Sequence, residues 1–166
     1  MKIYRIREAY VEYLRTKEPQ VLKNKNESRP YIGTILLISG FTYFVPLSSP
    51  KPKHKKMKNT KDFHKIANGE YGAINFNKII PVPQDCIINF RFEDEADEKY
   101  RLLLQNQYKC IKEMEPIITK KCNGIYEIFH TNDNALTPSD RRFKQRCCNF
   151  DLLEEMCMNY TVQKEK

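Results

Sequence analysis

The stretch YIGTILLISGFTYFVPL, residues 31–47, leaves this chain few ways to fold. Two runs rich in β-branched and aromatic residues, Ile32–Ile38 and Phe41–Val45, flank Ser39-Gly40, a pair suited to the two-residue turn of a hairpin. Gly33, Ser39, Gly40 and Pro46 interrupt the apolar run, so it does not read as a membrane span. Other strand signals surround it. KIYRI alternates near the start, YGAINFNKIIPVP runs apolar until its prolines stop it, and CIINFRF follows. AYVEYLRT suits a short helix or a second strand, and KEPQVLKNKNESRP reads as a loop.

Helical spacing takes over in the second half. In EDEADEKYRLLLQNQYKCIKEME the apolar positions Tyr100, Leu103, Leu104, Tyr108, Ile111 and Met114 share one face. Acids crowd its start, where the helix dipole favours them. Thr137 followed by Pro138 is a helix-start signal, and Asn149 is placed to cap FDLLEEM. Strands first and helices later is the α+β pattern. The expected architecture is one compact domain over residues 1–166, with a curved, partly barrel-like antiparallel sheet and helices mostly in the C-terminal half.

Lys and Arg number 29 against 21 Asp and Glu, a formal charge of +8. That balance favours a polyanionic partner, nucleic acid before an anionic membrane. MKIYRIREAYVEYLR lacks the apolar core of a secretion signal. The six cysteines form no C-x-x-C pair and lack structural zinc spacing, so they read as reduced core residues of a cytoplasmic protein.

Candidate chemistry is narrowed by what is missing. The chain has no G-x-x-x-x-G-K phosphate loop and no G-x-S-x-G elbow. Its acids cluster only in EDEADE, an acidic helix start, so no set of metal-holding carboxylates, and no cofactor, is expected. What stands out is PLSSPKPKHKKMK, where Ser48 and Ser49 precede a run of lysines. Seven lysines fall between Lys51 and Lys65, and a second basic cluster holds Arg141, Arg142, Lys144 and Arg146. Two clusters suit a long polyanion better than a small ligand. Tyr31, Tyr43, Phe44, Phe63, Tyr71, Phe76 and Phe143 lie among them, and two or three at most are expected to stack on bases. His54 and His64, ten residues apart in what reads as a lysine-rich loop, are candidates for an acid–base pair. Metal-free RNA cleavage needs few parts: the RNA supplies its 2′-hydroxyl, and the protein orients it and stabilises phosphoryl charge.

The residues also carry a family resemblance. MKIY, YVEYL, RPYIG, YFVPLSSPK, GAINFNKIIPVP, KYRLLLQNQY and CNFDLLEE, in this order over most of the length, resemble the endoribonuclease toxins of type III toxin–antitoxin systems, the ToxN/AbiQ group and its CptN-like branch. The resemblance implies an α+β fold similar to the MazF/Kid toxins and metal-independent RNA cleavage to a 2′,3′-cyclic phosphate. It implies a small structured antitoxin RNA as partner, a pseudoknot the toxin cuts from a repeated precursor, and a closed multimeric protein–RNA assembly. Cellular or phage RNA would be the substrate. Position by position, the active-site hydroxyls fall on Ser48 and Ser49, the essential lysine on Lys51, and the basic residue before the glycine-containing strand on Arg29. Family members often carry Lys and Thr where this chain has Arg29 and Ser48.

RNA binding is expected from Tyr31, Lys53, His54, Lys55, Lys56, Lys58, His64, Arg141, Arg142, Lys144 and Arg146, with Lys55, Lys56 and Lys58 touching the backbone at most. The competing reading is a non-catalytic basic RNA-binding protein, which needs the charge but no hydroxyls at fixed positions.

Overall fold

Strand β1 (Lys2–Ile6) leads directly into helix α1 (Glu8–Arg15), whose Tyr10, Val11 and Leu14 share one face and are buried. The segment that allowed helix or strand is therefore helical. The computed structural model describes residues 1–38 and 40–160, with side chains throughout except at 34–38. The hairpin follows as β2 (Tyr31–Ile38) and β3 (Phe41–Ser48), paired antiparallel from Tyr31–Pro46 to Ile38–Phe41. Ser39 of its turn lies outside the described residues, and Gly40 takes the positive φ of 85° that such a turn needs.

β3 organises the sheet because both of its edges are used. One edge pairs with β2, while the other pairs with two short strands in succession. Helix α2 (Pro52–Lys56) and strands β4 (Phe63–Lys65), β5 (Ala73–Asn75), β6 (Ile80–Pro81) and β7 (Ile87–Asn89) complete the first half. Tyr43 and Phe44 of β3 face β6, and Leu47 and Ser48 face β5. Among the described residues seven strands run in the order β4-β5-β3-β2-β1-β7, with β6 also on β3 and every pairing antiparallel. The sheet is open, with β4 and β7 at its two edges.

The second half is helical: α3 (Glu98–Glu113), α4 (Glu115–His130), α5 (Pro138–Lys144) and α6 (Phe150–Asn159). Asp97, Thr137 and Asn149 each accept a main-chain N–H at the start of α3, α5 and α6. The acidic run is thus partly a cap, and Glu95 is held by Arg5 at 2.6 Å in a half-buried pair. Pro116 stands in the first turn of α4, a helix that periodicity alone does not announce because Gly124 and a β-branched run interrupt it. Tertiary burial holds it. Ile118, Cys122 and Ile125 sit at i, i+4 and i+7 and join the core beside Ile111 of α3 and Leu153 of α6. Each buried isoleucine contributes about 1.5–3 kcal/mol by leaving water. All six cysteines are free thiols, five of them buried. Among the described residues no helix is long and apolar enough to cross a membrane.

Candidate active site

Ser48 closes β3, opposite Ala73 of β5. Ser49 and Pro50 lie just past the strand and are exposed. Lys51 is still extended, at φ −137° and ψ 145°, and Pro52 then opens α2 with the backbone angle a helix requires. The main-chain carbonyl of Lys51 accepts from the His54 amide at 2.9 Å, closing the first turn. The lysine-rich stretch read as a loop therefore contains a short helix, and that helix turns His54 inward to 3% exposure while its lysines face solvent.

A second segment approaches from the chain before β2. Lys25, Asn26 and Glu27 occupy the left-handed region, with φ of 60°, 53° and 62°. Each such residue costs about 1–3 kcal/mol. The turn is held by reciprocal bonds, Glu8 N–H to Glu27 Oε1 and Glu27 N–H to Glu8 Oε2, both 2.9 Å. Asn24, fully buried, adds a bond to the Ile6 carbonyl at 2.7 Å. Arg29 at the end of this turn is pinned in place. Its Nε donates to the Lys23 carbonyl at 2.7 Å and its Nη1 to the Leu47 carbonyl at 3.1 Å, next to Ser48. Burial lowers the Arg29 pKa, but guanidinium stays charged at any physiological pH.

Between these segments lies a cavity of about 500 Å³. It gathers Arg29, Ser48, Ser49, Lys51, Lys53 and His54, together with Lys25, Ser28, Asn75 and Tyr100. Among the described residues no carboxylate lines it. Asn75 Nδ2 donates to Ser48 Oγ at 2.7 Å, and the Tyr100 hydroxyl lies 3.4 Å from the Ser28 carbonyl. Burial, reinforced by Lys51 and Lys53, lowers the His54 pKa, so the imidazole is neutral at pH 7. Its Nδ1 is buried without a hydrogen-bond partner among the described residues. Such an arrangement can bind an anion through fixed cations and hydroxyls while keeping a neutral nitrogen base close by.

Other expected contacts lie elsewhere. Tyr31 is a correction: it is 1% exposed, packed in the core, and its ring is closed to any base. Tyr43, Phe44, Phe63, Phe76 and Phe143 are buried too. Lys55 and Lys56 line a neighbouring cleft of about 410 Å³ that shares Lys51 with the main cavity. Lys58 is exposed beyond both. His64 sits in β4, outside the cavity, with Nε2 3.5 Å from Asn59 Nδ2, so the two histidines do not share one site. Arg141 and Arg142 are exposed on α5, whereas Lys144 is engaged by Asp133 at 2.8 Å and Arg146 by Asp62 at 3.2 Å. Arg146–Asp62 and Lys61–Asp140 tie the two basic stretches together on one surface. Among the described residues no group of three or more His, Cys, Asp or Glu is placed to hold a metal ion. Asn75 and Tyr100 escaped sequence reasoning, since one reads as a strand residue and the other as part of an apolar helix face.

Known proteins resemble this chain over nearly its whole length. The family model described as toxin ToxN of type III toxin–antitoxin systems matches residues 2–158. Endoribonuclease ToxN of Bacillus thuringiensis subsp. kurstaki is 32% identical over 163 residues, covering 96% of this chain and 84% of that protein. Endoribonuclease AbiQ of Lactococcus lactis subsp. lactis is 26% identical over 172 residues, covering 97% and 90%. A structure solved in work on selective toxin inhibition by a non-coding RNA pseudoknot superposes with a TM-score of 0.86 at 30% identity, covering 98% of each chain. The chain belongs to the ToxN toxin family of type III toxin–antitoxin systems.

Proposed function

We propose that this protein is an endoribonuclease that cleaves RNA without a metal ion, leaves a 2′,3′-cyclic phosphate, and is held inactive by a small structured antitoxin RNA. The observation that carries the reading is the cavity itself, which brings Arg29, Ser48, Ser49 and Lys51 to one place with no carboxylate among the described residues that line it. Two relatives are named endoribonucleases, and the neighbouring structure comes from work on inhibition by an RNA pseudoknot.

The chemistry follows from the groups present. The 2′-hydroxyl of the RNA gives up its proton to a base or to water as its oxygen attacks the adjacent phosphorus in line. The bond to the 5′-oxygen breaks, and one proton returns to that leaving oxygen, so no net proton is gained or lost. Negative charge grows on the non-bridging oxygens. Ser48 and Ser49 hydroxyls, the Lys51 ammonium and Arg29 supply donors and positive charge where that charge develops, and Arg29, held by the Lys23 and Leu47 carbonyls, is in place before the substrate arrives. A carboxylate in this cavity would repel the phosphate, and none of the described residues that line it carries one. Lys53, Lys55, Lys56 and Lys58 hold the backbone on either side.

In this reading residues 1–166 work as one domain in the cytoplasm. The chain trims its pseudoknot antitoxin from a repeated precursor, and toxin and RNA close into a multimeric assembly. Cellular or phage RNA is cut when the antitoxin is lost. RNA-free protein incubated with single-stranded RNA in excess EDTA should yield fragments ending in 2′,3′-cyclic phosphate. Activity abolished by EDTA and restored by magnesium would overturn the metal-independent mechanism.

A further inference from the structure

We propose that Asn75 is a positioning residue for this reaction: it holds Ser48 so that the Ser48 hydroxyl meets the scissile phosphate as a hydrogen-bond donor. The inference rests on the endoribonuclease reading above and adds to it a division of labour between two adjacent serines.

The two hydroxyls are not equivalent. Ser48 is the last residue of β3, paired with Ala73, and its side chain is half-buried. Its main chain is pressed by Gly72, whose φ of 94° lets the backbone pass so close that a Cβ there would lie 2.0 Å from the Ser48 carbonyl oxygen. Asn75, two residues beyond Ala73 in β5, reaches back and donates from Nδ2 to Ser48 Oγ at 2.7 Å. Asn75 is itself anchored opposite Phe63 of β4, and all three side chains line the cavity. Ser49 by contrast lies beyond the strand, is exposed, and makes no side-chain hydrogen bond among the described residues.

A serine hydroxyl carries one proton and two lone pairs. With one lone pair taken by the Asn75 amide, the O–H cannot also point at that amide and is left for the cavity. A donor whose direction is set in advance loses less on meeting a developing oxyanion than one that must first turn. Asn75 touches no reacting atom in this scheme. It acts through Ser48, which makes its effect conditional on Ser48 being present.

That condition supplies the test. Four proteins are compared: unmodified, Asn75→Leu, Ser48→Ala and the double variant. The probe is an end-labelled pool of single-stranded RNA of random sequence, with single-turnover cleavage at saturating protein, RNA affinity by filter binding, and melting temperature as readouts. Asn75→Leu should slow cleavage on the order of tenfold, the worth of one hydrogen bond, with affinity unchanged. Ser48→Ala should slow it by about 10²–10³. The double variant should match Ser48→Ala alone. If the two losses multiply, or if Asn75→Leu cleaves at the unmodified rate, the proposal is overturned. Should Asn75→Leu fail to fold, Asn75→Ala takes its place in the same comparison: its loss should vanish in the Ser48→Ala background, and a loss that persists there, or no loss at all, overturns the proposal. An unmodified protein that cuts no RNA in the pool would remove the endoribonuclease reading itself, before any variant is compared.

Discussion

The imidazole of His54 stands edge-on to the ring of Phe63, centroids 5.6 Å apart and planes at 61°, and both side chains line the cavity that holds Ser48 and Ser49. A histidine in the middle of a lysine run is thereby removed from solvent, while the lysines on either side of it remain exposed. The short helix α2 is the reason. Its turn sends position 54 toward Phe63 and positions 53, 55 and 56 outward.

Burial of His54 predicts a pH-dependent stability. Its folded pKa lies below the ordinary value of 6.5, because burial and the neighbouring Lys51 and Lys53 disfavour the charged ring, and His64 is shifted the same way by burial and Lys121. The unfolded chain then binds more protons than the folded one between the two values, so stability rises with pH in that window. The stabilising contribution is complete above about 6.5 and is lost as pH falls through the folded values. Urea midpoints measured from about pH 5 to 8 should decline on the acid side, and His54→Gln should flatten part of that decline. A variant with the same acid slope as the unmodified protein would show that His54 is not the titrating group.

Ser49→Ala and Lys51→Ala should each abolish toxicity while leaving antitoxin RNA binding nearly intact. One lost donor raises the barrier by ~2.7–4 kcal/mol, whereas a structured RNA spreads its affinity over many contacts. Lys51→Arg should rescue only in part, because a planar fork places its charge differently from a compact ammonium. Growth of bacteria expressing each variant without antitoxin provides the measurement. Arrest as complete as with the unmodified protein, for both alanine variants, would put the active site elsewhere.

Antitoxin RNA affinity should fall steeply with salt. Lys53, Lys55, Lys56, Lys58, Arg141 and Arg142 are all exposed cations, and each phosphate they neutralise releases counterions. Lys144 and Arg146 should contribute less, being engaged by Asp133 and Asp62. The log–log slope should drop by about one unit in Lys58→Ala and by less in Lys144→Ala. A salt response near zero would show that these surfaces do not meet RNA.

Gly72→Ala should destabilise the protein more than Gly40→Ala. Both glycines have positive φ, 94° and 85°, so both substitutions carry backbone strain of about 1–3 kcal/mol. At Gly40 nothing lies within 4 Å of the added carbon, whereas at Gly72 it would meet the Ser48 carbonyl. Chemical denaturation of the two variants should rank them in that order, with Gly72→Ala also losing RNA cleavage through displacement of Ser48. Equal midpoints would mean the β3–β5 junction yields without cost.

Local rules made much of this molecule readable from its residues. The hairpin of β2 and β3, the caps at Thr137 and Asn149, and the apolar face of α3 each depend on residues within a few positions of one another, and each was found where the pattern placed it. Arg29, Ser48, Ser49 and Lys51, which the family resemblance names together, line one cavity. Helix α4 was hidden, because its stability comes from Ile118, Cys122 and Ile125 leaving water and not from propensity. The inward turn of His54, the closure of Tyr31 within the core, and the arrival of Asn75 and Tyr100 at the cavity depend on elements far apart in the chain. Composition marks a residue as able to bind RNA or give up a proton. Whether it faces water, a phosphate or the core is decided by which segments pack against it, and only the folded chain brings those segments together.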